Sequence, residues 1–569
     1  MGTTAQKLQN ILDSKADIAD AIEEKGGTLP AKLSDYGDAI RALPSGSVDP
    51  EDADVRFIDY DGTLLRGYTA AQVADLTAMP TPPDHTSDGL SNDSQPWNYD
   101  LNQLKAQVAA TGYATVGAMY HATDGITRFR YWLSSSADTA ISLKFQTTVQ
   151  LGTRIDYGDG FAEDINSTSE GIRLHTYCTA DTASFDTSVA YTAGQACEYN
   201  GSYYVFKYGG KAAGPWDAST VVQVNPVAIP SMVEITLNVT SGSISFSGPG
   251  ATARYDNRLR QVILGNNVVE IRGSTFYGFT GLEKIAIPVG TSMLATSFKN
   301  CYGLKGVVYP TGTIQTGKGA FTRCFGIKHI SLPPTVTHME GGLTSGNAAE
   351  GTFQECPALK RVDLPKDLTE IGPGVFVNSG IEKVTGGGSL TTLGASAFMG
   401  ATRLDNVSFP AATSIAKKAF MNCESLSSWP LTSSAAINTA NSTSVFEGCS
   451  TMKEVDLSGY SFTGLPAGFF RACGCLKVVR LPDITSIGDN AFGQPATQAN
   501  NNPGCVALYI LDLSNCTSVP TLSSSALTGT SNSMKIVVAD SMVSSFKNNT
   551  NWSAYSDRII GKSEESQWL

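Results

Sequence analysis

A phenylalanine that returns at near-constant spacing across the second half restricts the fold of this 569-residue chain more than any other feature. It stands at Phe276, Phe298, Phe321, Phe353, Phe376, Phe398, Phe420, Phe446, Phe470 and Phe492, at intervals of 22, 23, 32, 23, 22, 22, 26, 24 and 22 residues. The copies share one pattern, as in Phe321…Cys324…Ile327…Ile330…Leu332-Pro333 and Phe353…Cys356…Leu359…Val362…Leu364-Pro365. A second apolar ladder runs between copies, as in Leu364-Pro-Lys-Asp-Leu368-Thr-Glu-Ile371. A unit this short cannot close a core, so copies must stack into a solenoid with neighbours on both sides. The pattern predicts one short strand per rung with alternate residues pointing inward, a Pro that ends it, and a Phe that fills the core from the returning loop. Strands expected from 259–264 to 534–538 give about twelve rungs and a rod roughly 55–60 Å long at about 4.8 Å per rung.

Composition agrees with a mainly β, multidomain chain. Charged residues make up 16%, against about 25% in ordinary globular proteins, because stacked strands and tight turns have little helical surface to cover. Seven of the eleven Cys (Cys301, Cys324, Cys356, Cys423, Cys449, Cys473, Cys505) occupy one repeat position. A small buried side chain fits there, as Ala401 at the same position indicates, and free thiols formed in a reducing cytoplasm are expected. A net charge of −12 with no basic run argues against nucleic acid. No stretch approaches about 18 apolar residues, so no membrane insertion is expected. The start, MGTTAQKLQN, has neither the basic nor the apolar region of an export signal. Five His (His85, His121, His175, His329, His338) far apart and no CxxC leave little for a metal site or an acid–base relay, so no cofactor and no catalysis are expected.

The first half divides by composition. Residues 5–43 carry helical spacing (Leu8, Ile11, Leu12; Ile18, Ile22; Tyr36, Ile40, Leu43), closed by Gly26-Gly27 and Pro44. So small an amphipathic unit must dock on copies of itself or on a partner, which assigns 1–45 to attachment or oligomerisation. A polar linker at 44–54 leads to a small α+β module at 55–135, with strands expected at 55–58, 112–120 and 127–133 and a helix at 101–109. Residues 136–230 read as a β-sandwich region holding an aromatic-rich segment at 185–224, 231–254 as a β connector, and 255–569 as the solenoid with its cap.

Several segments resemble known families. The motif Phe-x-x-Cys-x-x-Leu-x-x-Val-x-Leu-Pro at this period resembles the BspA-type leucine-rich repeat over 255–560, which implies recognition of protein or glycan on an extended face. The closing Lys535-Ile-Val-Val-Ala-Asp…Phe546…Trp552…Ile559-Ile560 is similar to the terminal caps of such arrays. Ile11-Leu-Asp-Ser-Lys-Ala-Asp-Ile-Ala-Asp-Ala-Ile-Glu-Glu-Lys-Gly-Gly and Phe57-Ile-Asp-Tyr-Asp-Gly-Thr-Leu-Leu…Trp97-Asn resemble segments of bacteriophage tail and fibre proteins. Ile155-Asp-Tyr-Gly-Asp-Gly160 with His175-Thr-Tyr177 is similar to PKD-like sandwich modules, Tyr157 standing where that family has Trp. The segment 185–224 resembles small chitin-binding modules; Tyr191, Tyr203, Tyr204 and Trp216 are then either a sugar platform or the core of a module with little else to bury.

Two chemical motifs compete with this reading. Phe57-Ile-Asp59-Tyr-Asp61-Gly62-Thr63 matches the first motif of haloacid-dehalogenase-type phosphatases, with Gly158-Asp159-Gly-Phe-Ala-Glu-Asp164 imitating the acidic metal motif. Residues 66–155 lack the alternating βαβ pattern such an enzyme needs, and Asp-x-Asp-Gly also makes an ordinary hairpin turn. Calcium at Asp59/Asp61 or Asp156/Asp159 lacks further oxygen ligands nearby. The expectation is therefore a non-enzymatic virion protein, a phage tail fibre or adhesin, trimeric as fibres commonly are. Residues 1–45 would join it to other virion proteins, and the solenoid would bind a host-surface protein or glycan. A head fibre or baseplate spacer is the alternative, and a phosphatase using Asp59/Asp61 a third. Receptor-facing candidates are the outward strand residues His329 and Ser331, Arg361 and Asp363, Asn406 and Ser408, Glu454 and Asp456, and Val478 and Arg480.

Overall fold

A computed structural model describes residues 49–568 apart from 138, 149–151, 166–167, 170, 241–242, 247–255, 343–349, 432–441 and 494–503. The helices expected at 5–43, and with them the attachment segment 1–45, lie outside the described residues, as do parts of the three insertions at 335–351, 432–444 and 493–504.

The first module has four strands, β1 (Val55–Ile58), β2 (Leu64–Tyr68), β3 (Leu90–Trp97) and β4 (Ala114–Ala122), in the order β2-β1-β4-β3. β1 and β2 form a hairpin, and β1 runs parallel to β4. Two helices, α1 (Ala70–Asp75) and α2 (Leu101–Thr111), make that crossover. Each starts on a capping box, Thr69 with Gln72 and Asp100 with Gln103, which satisfies amides that the first turn leaves unpaired.

β5 (Thr127–Leu133), β6 (Ala140–Thr147), β7 (Thr153–Asp156), β8 (Ala162–Ile165), β9 (Gly171–Thr176), β13 (Ser231–Val239) and β14 (Ile244–Phe246) build the sandwich. A three-stranded aromatic module, β10 (Ala196–Tyr199), β11 (Ser202–Phe206) and β12 (Val221–Val224), interrupts it between β9 and β13. These boundaries differ from the sequence reading. β5 leaves the first module, and the supposed connector supplies β13, a central strand paired with both β5 and β7. The alternation of Val233, Ile235 and Leu237, all buried, is the signature of a strand with one face in a core.

The sandwich does not end before the solenoid. Its sheets continue into the first rung through β15 (Leu259–Ile263), which pairs antiparallel with β5, and β16 (Val268–Ile271), which pairs with β14. β17 (Lys284–Ala286) then adds parallel to β15. One hydrophobic core runs from Phe129 in the sandwich to Ile559 near the end of the chain. Parallel ladders extend along both sides of the rod to Thr521–Leu522 and Ile559–Gly561, the latter one strand more than the sequence count.

On the third side the ten repeat Phe rings stack in an unbroken column with centroids 5.1–6.1 Å apart. Each Phe amide donates to a carbonyl of the next rung, as Phe398 does to Ala419 and Phe420 to Val445. The repeat thiols complete the stitch: each Sγ donates back to the Phe carbonyl of the rung before, at 3.0–3.3 Å for Cys301, Cys324, Cys356, Cys423, Cys449, Cys473 and Cys505. The position thus calls for a small donor as well as a small volume. Where Ala401 cannot donate, the Phe376 carbonyl takes the Ser379 hydroxyl instead. Burial pushes the Cys356 thiol up to about 12 and keeps it protonated.

The turns around most of these Phe hold left-handed residues two before and two after, many of them not glycine: Thr296 and Asn300, Ser396 and Gly400, Lys418 and Asn422. Such backbone costs roughly 1–2 kcal/mol per L-residue. Lys418, exposed at φ 60°, is strained without a packing return. Lys418→Gly should raise the unfolding free energy measured by urea titration by about 0.5–1 kcal/mol, the relieved strain exceeding the added chain entropy. Phe398→Ala should lower stability by about 3–5 kcal/mol in the same titration, since that ring is fully buried and stacked on both faces.

Candidate binding surface

In a solenoid the outward residues of the strand ladder form the extended face, and here that face is largely occupied by the protein itself. β4 lies across the first rungs with Gly117 at the crossing; a Cβ there would sit 2.5 Å from Val308. Gly62 and Gly306 approach so closely that a Cβ on Gly62 would lie 2.5 Å from the Gly306 Cα. Ile263 and Ala286, outward on their rungs, are fully buried in the core of the first module, and Val308 packs on Ile58 and Met119.

Farther along, the contact becomes polar. Asp363 accepts from Arg361 (2.7 Å), Thr115 (2.5 Å), Thr385 (2.6 Å) and Arg56 (3.5 Å). Arg361 donates onward to the carbonyls of Ala53 and Asp54. His329 Nδ1 lies 2.9 Å from the Gly62 carbonyl, and Ser331 bonds Asn98 and the Thr115 carbonyl. Tyr99 donates to Leu332, and Gln107 bridges Leu364 and Lys366. His329, Ser331, Arg361 and Asp363 therefore do not face a receptor: they hold the first module in place, and all four are buried. Burial raises the Asp363 carboxyl, but Arg56 and Arg361 outweigh it and hold it below the usual carboxylate range. Burial lowers His329, which stays neutral.

The far end is covered as well. Val478, Ile510, Val537 and Ile560 form a buried outward stripe, and Arg480 reaches Asp512 and Glu565 of the closing segment. Between these covers the face is open and polar among the described residues. Asn406, Ser408, Glu454 and Asp456 are exposed there; Asn406 accepts from Ser427 and Ser428 of the next rung, and Asp456 caps Ser458.

The aromatic candidates form a small core of their own. Tyr191 stacks on Phe206 at 4.4 Å, Trp216 on Tyr199 at 4.1 Å with Tyr204 against its edge, and Tyr203 packs on the sandwich. The rings use each other's faces, which favours the packing role.

The phosphatase-like motif is a hairpin turn. The Asp59 amide donates to Thr63 and the Gly62 amide to Asp59, while Asp61 caps Thr63. The Asp59 carboxylate is buried on His85 at 2.7 Å. Asp159 sits likewise on buried His175 at 2.9 Å, and among the described residues no three His, Cys, Asp or Glu converge as metal ligands. No described helix is long and apolar enough to cross a membrane.

Stretches 250–348, 344–439 and 389–498 match the model of the BspA type leucine-rich repeat region. No curated protein matches the chain. Among solved structures the chain is similar to a leucine-rich repeat protein from Bacteroides ovatus (20% identity, 59% of this chain and 90% of that one, TM-score 0.37). It is similar too to a leucine rich cell surface protein from Faecalibacterium prausnitzii (17% identity, 66% and 96%, TM-score 0.31). No catalytic family is among the matches.

Acid should loosen the clasp between module and rod in two stages. A lowered His contributes fully above its unfolded value of about 6.5 and loses that contribution below it; a lowered carboxylate does the same at about 3.9. Tryptophan fluorescence, followed in urea from pH 7.5 to about 2, should show both losses, and His329→Gln should abolish the upper one.

Proposed function

We propose that this is a non-enzymatic adhesion protein whose leucine-rich repeat rod engages a host-surface protein or glycan through the open strip around Asn406, Ser408, Glu454 and Asp456. The observation that carries the reading is the pattern of cover: the rod's outward face is sealed by the chain's own segments at both ends and left to solvent between them. A leucine-rich cell surface protein among the structural neighbours agrees with an exposed recognition role.

The finer reading is that of a bacteriophage tail fibre or receptor-binding protein in the virion, joined to other virion proteins and trimerised through residues 1–45. Its support is the resemblance of the 11–27 and 57–98 segments to tail and fibre proteins. The sandwich would be its PKD-like spacer. Cover of the early rungs by the protein itself favours a second reading, a structural head fibre or baseplate spacer.

Adsorption separates the two. Purified full-length protein should bind host cells and slow phage adsorption, and a variant carrying Asn406→Arg, Ser408→Arg and Glu454→Arg should lose both effects while keeping its melting temperature. Undiminished blocking by that variant would remove the open strip from the account.

A further inference from the structure

On the outer face of the sandwich, where the first module, the sheet and the first rungs meet, there is a cavity of about 440 Å³ whose lining is unlike the rest of the chain. The strand register builds it. β5 turns Arg130 and Trp132 outward, β13 places Met232 opposite Trp132 and Glu234 opposite Arg130, and β15 and β17 add Arg260 and Lys284. The first module closes one side: Arg130 donates to the Asp88 carbonyl at 3.1 Å, and the Lys284 ammonium lies 5.9 Å over the Tyr60 ring.

Charge is inverted here. In a chain of net charge −12, three cations, Arg130, Arg260 and Lys284, meet two carboxylates here, Glu283 in the lining and Glu234 on Arg130. Arg130 is held by Glu234 at 2.7 Å, which fixes its guanidinium. The Arg260–Glu283 pair at 3.3 Å is 36% and 41% exposed, so it can change partner at little cost. Among the described residues no carboxylate pairs with Lys284. The floor is apolar, made by the Trp132 ring and by Met232, which is 49% exposed.

We propose that this cavity binds a carboxylate-bearing saccharide. The sugar's CH face lies on Trp132 and Met232, and its carboxylate meets Arg260 and Lys284. Each element of the site answers one part of that ligand. An aromatic floor takes the apolar face of a pyranose ring, guanidinium and ammonium groups take a carboxylate, and cavities at domain junctions are where ligands lodge. A neutral sugar would leave the cations unused, and an acidic peptide has no flat CH face for the floor. The site stands apart from the open strip of the rod, so either can fail alone.

Titration calorimetry of the full chain with trigalacturonate and sialyllactose tests this, with the trigalacturonate methyl ester, lactose and a tetraglutamate peptide as controls. At least one acidic saccharide should bind, and its neutral counterpart should bind about tenfold more weakly or not at all. Lys284→Gln and Arg260→Gln, at partly exposed positions, should each weaken binding about tenfold, and Trp132→Ala should abolish it. If Trp132→Ala fails to fold, the two charge variants decide. No binding by either acid sugar, equal binding of the ester, binding untouched by both charge variants, or equally tight binding of the peptide would each overturn the proposal.

Discussion

Each rung of this protein passes its backbone hydrogen bonds and its apolar face to the next, and the first rung receives both from the sandwich. That junction, β5 on β15 and β14 on β16, is the constraint on which the rest depends. A solenoid end is an open core and an unpaired sheet edge at once, and both invite aggregation. Here an antiparallel sandwich is grown onto the rod so that its two sheets become the rod's two ladders. At the other end Phe546 and Trp552, fully buried, and the strand Ile559–Gly561 close the stack. The intermediate rungs then need only repeat: a Phe on a Phe, an amide to the next rung, a thiol to the rung before.

Placing the sandwich there fixes the chain ahead of it. β4 leads directly into β5, so the first module is delivered onto the strand face just beyond the junction. Apolar outward residues receive it on the early rungs, and a buried Arg56–Asp363–Arg361 group receives it farther on. Buried charge of this kind is stabilising only while every partner is present, which makes the contact specific in register. The same delivery creates the cationic cavity at Trp132, where three units meet.

Much of this was legible in the sequence. Phe276 to Phe492 fixed the period, the rung, the buried ring and the thiol column. Alternation in 233–237 marked a strand, but not that it is central, because a one-sided pattern does not say which sheet it joins. His329, Ser331, Arg361 and Asp363 point out of the rung, and alternation alone marks such residues as solvent-facing, yet the partner that covers them is more than 200 residues away in sequence. A signal was present in their neighbours: Ile263, Ala286 and Val308 are apolar where Ser408 and Asp456 are not, and an apolar outward residue on successive rungs announces a cover. The Asp59 turn was legible as a turn, since Asp-x-Asp-Gly closes hairpins by its own hydrogen bonds.

The central claim is that the sandwich is the rod's cap, with the two forming one cooperative unit. The direct measurement is urea unfolding by far-ultraviolet circular dichroism, with light scattering, of chains beginning at residue 49, 127 and 255. The account predicts single cooperative transitions for the first two, the second at lower midpoint, and loss of the transition with association for the third. A chain from residue 255 that stays monomeric and unfolds at the midpoint of the longest one would contradict it.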